Sequence, residues 1–99
     1  MGKYVYIYYV DHDSDAGTDE SWGQWFGKLG SKLIDPGNPF KHGGQAVHAG
    51  GVMEVQDRPA TGYSIVDVAS MEEAVELAKS CPLASLPSGA VCVYEALPM

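Results

Sequence analysis

The segment KYVYIYYV, Lys3 to Val10, constrains the fold more than any other stretch of this chain. In an extended strand Val5, Ile7 and Tyr9 fall on one face, and Tyr4, Tyr6 and Tyr8 fall on the other. Neither face is suited to water. A strand that is apolar on both faces belongs to a sheet covered on both sides. Any fold for this sequence must therefore supply two covering layers.

The chain is short for that demand. Its 99 residues make one domain, 1–99, near the lower edge of what folds alone. Hydrophobic residues are 45%, which marks a globular chain. Six basic and thirteen acidic residues give a formal charge of −7. That balance repels phosphate backbones and anionic lipid, so neither nucleic acid nor a membrane is expected as a partner. The N-terminal apolar run is too short to span a bilayer and lacks a small-residue cleavage site. Cys81 and Cys92 show neither metal-ligand spacing nor the density of a disulfide scaffold, which points to reducing cytoplasm.

The rest of the chain reads as alternating elements. A polar loop, DHDSDAGT at 11–18, precedes a helix whose stripe is Trp22, Trp25, Phe26, Leu29 and Leu33. Thr18 or Asp19 caps it, with Asp19 and Glu20 near its positive end. Gly23, Gly27 and Gly30 lie on one flank of this helix, which suggests a backbone or ligand passing close by, the alternative being mere tolerance of glycine. Asp35-Pro36-Gly37-Asn38-Pro39 then stops it. Residues 45–49 and 52–55 read as a short strand pair, or one bulged strand, broken at Gly50-Gly51. Tyr63 to Val68 is a strand. Ser70 and Glu73 form a capping box for a second helix, with Met71, Ala74, Val75, Leu77, Ala78 and Cys81 inward. Ala90 to Leu97 is the last strand.

This order predicts an α+β fold of the ferredoxin-like βαββαβ plan, a four-stranded antiparallel sheet with two helices on one face. The second face remains apolar, and a monomer of this size could not leave it in water. The pattern thus predicts a homodimer through the open sheet face, enclosing a barrel-like interior.

Three stretches, WGQWFGKLGSKLIDPGNP, GYSIVDVASMEEAVELAKSCP and VCVYEALPM, resemble in their order the YCII-related family of dimeric α/β-barrel proteins. The resemblance covers nearly the whole chain. It implies a small organic ligand bound without a cofactor, in some members by a lyase that uses a paired His and Asp. In those relatives the His stands on the first helix, near Asp19 to Trp22, where this chain has none. An Asp-Gly-Pro-Phe motif of a related branch falls on Gly50, Gly51, Val52 and Met53, agreeing at one glycine. The family's His-Asp apparatus therefore does not transfer. The resemblance leaves two expectations: a cofactor-independent lyase or isomerase, or a non-catalytic regulatory or scaffolding dimer.

Candidate residues follow from their positions. His48, in a short apolar strand, is the favoured general base if that strand faces an enclosed interior. The competing reading is a His hydrogen-bonded at the sheet edge. Asp67 interrupts an apolar strand, where a carboxylate is costly unless bonded or used, and is the candidate catalytic partner of His48; the alternative is solvent exposure at the strand's end. Tyr6 and Tyr63 are candidate ligand-lining phenols, and His42 is a loop residue at the mouth of a cavity. The alternative for Tyr4, Tyr6 and Tyr8 is packing on the helices. Asp35 is a turn residue rather than a chemical one. Asp11, Asp13 and Asp15 begin like an EF-hand loop, but Ala16 and Trp22 stand where Gly and Glu are required, so no metal site is predicted.

Overall fold

The computed structural model describes residues 2–11, 16–55 and 58–98. Strand β1 (Gly2–Tyr9) is followed by helix α1 (Asp19–Leu29), a 3₁₀ turn (Gly30–Lys32) and strand β2 (Leu33–Asp35). A hairpin of β3 (Gln45–His48) and β4 (Gly51–Glu54) comes next. Then follow β5 (Gly62–Val68), helix α2 (Met71–Ala78), a second 3₁₀ turn (Pro82–Ser85) and β6 (Ala90–Glu95). The fold is α+β. Its main sheet has four antiparallel strands in the order β2-β5-β1-β6, while β3 and β4 form a separate two-stranded sheet.

The tyrosine ladder of β1 packs on the helices. Tyr4, Tyr6 and Tyr8 are buried together with Val66 and Val68 of β5, against Trp25 and Leu29 of α1 and Ala74 and Ala78 of α2. Both helices thus cover one face. Small residues let α2 approach closely: the Tyr6 hydroxyl donates to the Ala74 carbonyl at 2.6 Å. The two helices are joined by the Trp25 indole N–H, which donates to the Leu77 carbonyl at 3.0 Å. Burying each large side chain of this core contributes about 1.5–3 kcal/mol.

Residues Val5, Ile7, Ile65 and Cys92 lie on the opposite face with Tyr9, Tyr63, Asp67 and Tyr94, all partly or largely exposed. Neither helix packs on this face, where Phe40 stacks on Tyr63 and Arg58 lies over the Tyr9 ring. The shortest dimension of the molecule, 19 Å, is that of one sheet and one helical layer.

Capping fixes both helices. At α1, Thr18 Oγ1 accepts from the Ser21 N–H while Ser21 Oγ accepts from the Thr18 N–H, a reciprocal box. At α2, Ser70 Oγ accepts from the Glu73 N–H, and Glu73 reaches back one residue further than the box requires, to the Ala69 N–H. That bond, and then Lys32 at 2.9 Å, lower the Glu73 pKa.

Four expectations need correction. Helix α1 ends at Leu29, because Gly30 takes a positive φ of 58° as its N–H returns to the Phe26 carbonyl. Leu33 still reaches the core, but from a strand that pairs with β5. The strand pair at 45–54 stands outside the main sheet, whose edge is β2 instead. Gly23, Gly27 and Gly30 face open space, so no neighbour explains them. On α2, Met71 and Val75 are exposed rather than inward. Asp13 and Asp15 of the acidic loop lie outside the described residues.

Candidate functional site

A cavity of about 360 Å³ opens at the end of the main sheet, between the start of α1 and the turn that follows β2. It lies within the size range of small-molecule sites. Its wall on one side is Ala16, Gly17, Asp19, Trp22 and Phe26; on the other it is Pro36 to Pro39. Tyr8, Val10, Thr61 to Tyr63 and Leu83 complete it.

Local chemistry holds the second wall in place. The Asp35 carboxylate accepts from the Gly37 N–H at 2.8 Å, closing a tight turn. Gly37 has φ 72°, and a Cβ there would collide with the Tyr63 carbonyl, so only glycine lets the turn sit against β5. A relay runs underneath. The Tyr8 hydroxyl donates to Ser64 Oγ at 2.8 Å, and Ser64 donates onward to the Pro36 carbonyl at 2.6 Å. Beyond the turn, the Phe40 N–H donates to the Thr61 carbonyl and the Thr61 N–H to the Tyr8 carbonyl.

Aromatic contacts build the first wall. Trp22 stands edge-on to Tyr8 with centroids 5.1 Å apart and tilts against Phe26 at 5.7 Å. Its indole N–H donates to the Ala16 carbonyl, fastening the chain that enters α1. Tyr63 stacks on Phe40 at 5.9 Å.

Among the described lining residues, Asp19 is the one carboxylate, and there is no Lys, Arg or His. Burial pushes the Tyr8 phenol above its ordinary pKa, with the Ser64 hydrogen bond acting against that shift. It therefore stays protonated at neutral pH and serves as a donor, not a base. Among the described residues, no group of three or more His, Cys, Asp or Glu converges as a metal site. No helix there is long and apolar enough to cross a membrane.

The residues singled out from sequence fall in different places. Tyr63 lines the cavity. Tyr6 is fully buried and bonded to Ala74, and burial raises its pKa to about 12, so it belongs to the core between sheet and helices. His48 is exposed at the end of β3, beside the hairpin turn. His42 is exposed in the loop before β3. Asp67 lies on the open sheet face opposite Lys3, and its Oδ1 is buried without a hydrogen-bond partner among the described residues. Within one chain, then, His48 and Asp67 are not brought together.

Reasoning from sequence missed Trp22, Gly37 and Ser64 as site residues. A signal existed for two of them. Ser64 is a hydroxyl on a face shared with Val66 and Val68, and a Pro-Gly turn against a strand implies close approach.

Comparison of the chain with family models, with curated proteins and with solved structures found no match.

Proposed function

We propose that this chain is a small-molecule-binding protein of the YCII-related, dimeric α/β-barrel kind, and that the cavity beside α1 is where the ligand sits. The observation that carries this reading is the 360 Å³ aromatic cavity itself, walled by a turn that glycine and a hydrogen-bond relay hold rigid. Rigid walls lower the ordering cost of binding. Tyr8, Trp22, Phe26 and Tyr63 suit a small, planar or ring-bearing molecule.

The ferredoxin-like plan is supported by the strand order, with β1 and β5 at the centre and the short β2 and β6 at the edges. A homodimer through the open face is supported by its side chains. Val5, Ile7, Ile65 and Tyr94 form an apolar surface, partly or largely exposed, that neither helix covers. The unpaired Asp67 oxygen is on the same face, where a facing copy could supply its donor. The β3–β4 hairpin adds Val47 and Val52, 79% and 62% exposed, as an arm with no core of its own.

A second reading, binding without turnover, is favoured by the lining. Asp19 is exposed and the Tyr8 phenol is held protonated, so a lyase or isomerase step would have to find its base elsewhere. This fits a regulatory or scaffolding dimer that responds to a ligand.

The test is a titration of the full chain with 4-methylphenol, followed by indole N–H resonances and tryptophan fluorescence. Trp22 should shift saturably and more than Trp25, which is buried away from the cavity. Unchanged Trp22 signals up to the solubility limit would remove the proposal.

A further inference from the structure

We propose that the cavity beside α1 selects an organic cation, a protonated or quaternary amine carried on a small ring or alkyl group. The proposal rests on the reading of this cavity as the ligand site and names the ligand's charge.

Hydrogen bonding within the cavity wall points to this charge. Three of the polar donors that line it are turned into the protein. The Trp22 indole N–H is engaged by Ala16, the Tyr8 hydroxyl by Ser64 and the Thr61 hydroxyl by the Tyr8 carbonyl. An anionic or strongly accepting ligand would find those donors occupied. The start of α1 offers little more. The Thr18 and Ser21 N–H groups are taken up by the capping box, so only part of the first turn is open to an anion.

Asn38 and Tyr63 add polar groups to the lining; the rest is ring surface, small residues and one formal charge. Aromatic faces attract cations through their quadrupole, and tryptophan does so best. Trp22, Phe26, Tyr8 and Tyr63 supply the rings, and the Asp19 carboxylate supplies the counter-charge. No Lys, Arg or His is among the described lining residues to repel a cation or to pair with an anion. The chain's net charge of −7 acts in the same direction over longer range.

Three probes with the same ring and different charge test this on the full chain: 2-phenylethylammonium, 2-phenylethanol and 3-phenylpropionate. Binding is read from Trp22 resonances and fluorescence at low ionic strength. The ammonium probe should bind about tenfold tighter than the alcohol, and the carboxylate weakest. Asp19→Asn should bring the ammonium to within about threefold of the alcohol. A carboxylate that binds as well as the ammonium, or an ammonium no tighter than the alcohol, overturns the charge preference and leaves the cavity as a neutral-ligand site. Failure of all three probes to move Trp22 overturns both this proposal and the ligand site on which it rests. The wild-type comparison decides the matter even if the Asn variant folds poorly.

Discussion

The two faces of the main sheet are built from similar residues and meet different fates. On one, Tyr4, Tyr6, Tyr8, Val66 and Val68 disappear under two helices; on the other, Val5, Ile7, Ile65 and Tyr94 stay at the surface. Hydrophobicity alone does not separate them. The separation comes from where the helices land, and that is set by hydrogen bonds from large side chains to backbone. Tyr6 to Ala74 and Trp25 to Leu77 tie the helical layer to one face and to itself. The lesson is that a covered face is specified by polar anchors inside an apolar surface, and the open face has an orphan polar atom at Asp67 instead.

The sharpest way to break this comparison is to remove an anchor on the covered side. Trp25→Ala should destabilise the fold by about 3–5 kcal/mol. Out of a total of roughly 5–15 kcal/mol, that should be visible as a collapse of the urea midpoint. On the open side, Ile7→Lys should lower the urea midpoint by much less than Trp25→Ala, and mainly through loss of the partner copy. It should convert a sedimenting dimer into a monomer of 10.6 kDa. A wild-type protein that already sediments as a monomer at micromolar concentration would end the dimer reading.

A matched pair of smaller changes sharpens the contrast. Tyr6→Phe deletes a buried donor and should cost about 1 kcal/mol. Tyr94→Phe on the open face should cost almost nothing in the monomer. Equal effects of the two would show that the hydroxyl to Ala74 is not an anchor.

Alkaline pH probes the covered face most strongly, although burial also raises the Tyr9 phenol on the open face. Burial raises the Cys81 thiol from 9.0 to about 11 and the Tyr6 phenol from 10.0 to about 12. Both groups hold their protons more tightly folded than unfolded, so unfolding releases protons and stability falls as pH rises. The loss begins near pH 9, as the unfolded thiol titrates, and continues through the folded values. Urea midpoints between pH 8 and 10.5 should decline, and less steeply in Cys81→Ala after its own stability loss is subtracted. The smallest effect belongs to the hairpin. Replacing residues 45–54 by a short Gly-Ser connector should leave monomer stability within about 0.5 kcal/mol.

Much of the architecture was legible from local signals. β1, β5 and β6 announce themselves by β-prone runs, and α2 by the Ser70-Glu73 box and the small inward residues Ala74 and Ala78. The end of α1 was not legible, because Leu33 satisfies a helical period and a strand pairing equally well. Only the backbone of Gly30 decides between them. Nor could spacing say that 45–54 stands apart while 33–35 joins the sheet, since Val47 and Val52 look as ready for a core as Ile34. The site was the least legible part. Asp35 to Pro39 reads as a helix stop, and its second role as a cavity wall depends on Ser64 and Tyr8, far away in sequence.

Strand β1 lies between β5 and β6, and Tyr4 pairs with Val66 on one side and Glu95 on the other. On the ribosome this means that the earliest strand waits for the latest. A nascent chain that has emerged only as far as α2 has both helices' partners in hand, yet one edge of its tyrosine strand is bare. Residues 90–95 must leave the exit tunnel before that edge closes. Until then the growing polypeptide presents a flat, sticky ribbon to whatever else is being translated nearby. Folding governed by such distant pairings is slow compared with that of a helical bundle. Polypeptides that stall or break off before β6 should thus be the form of this protein that chaperones and proteases meet most often.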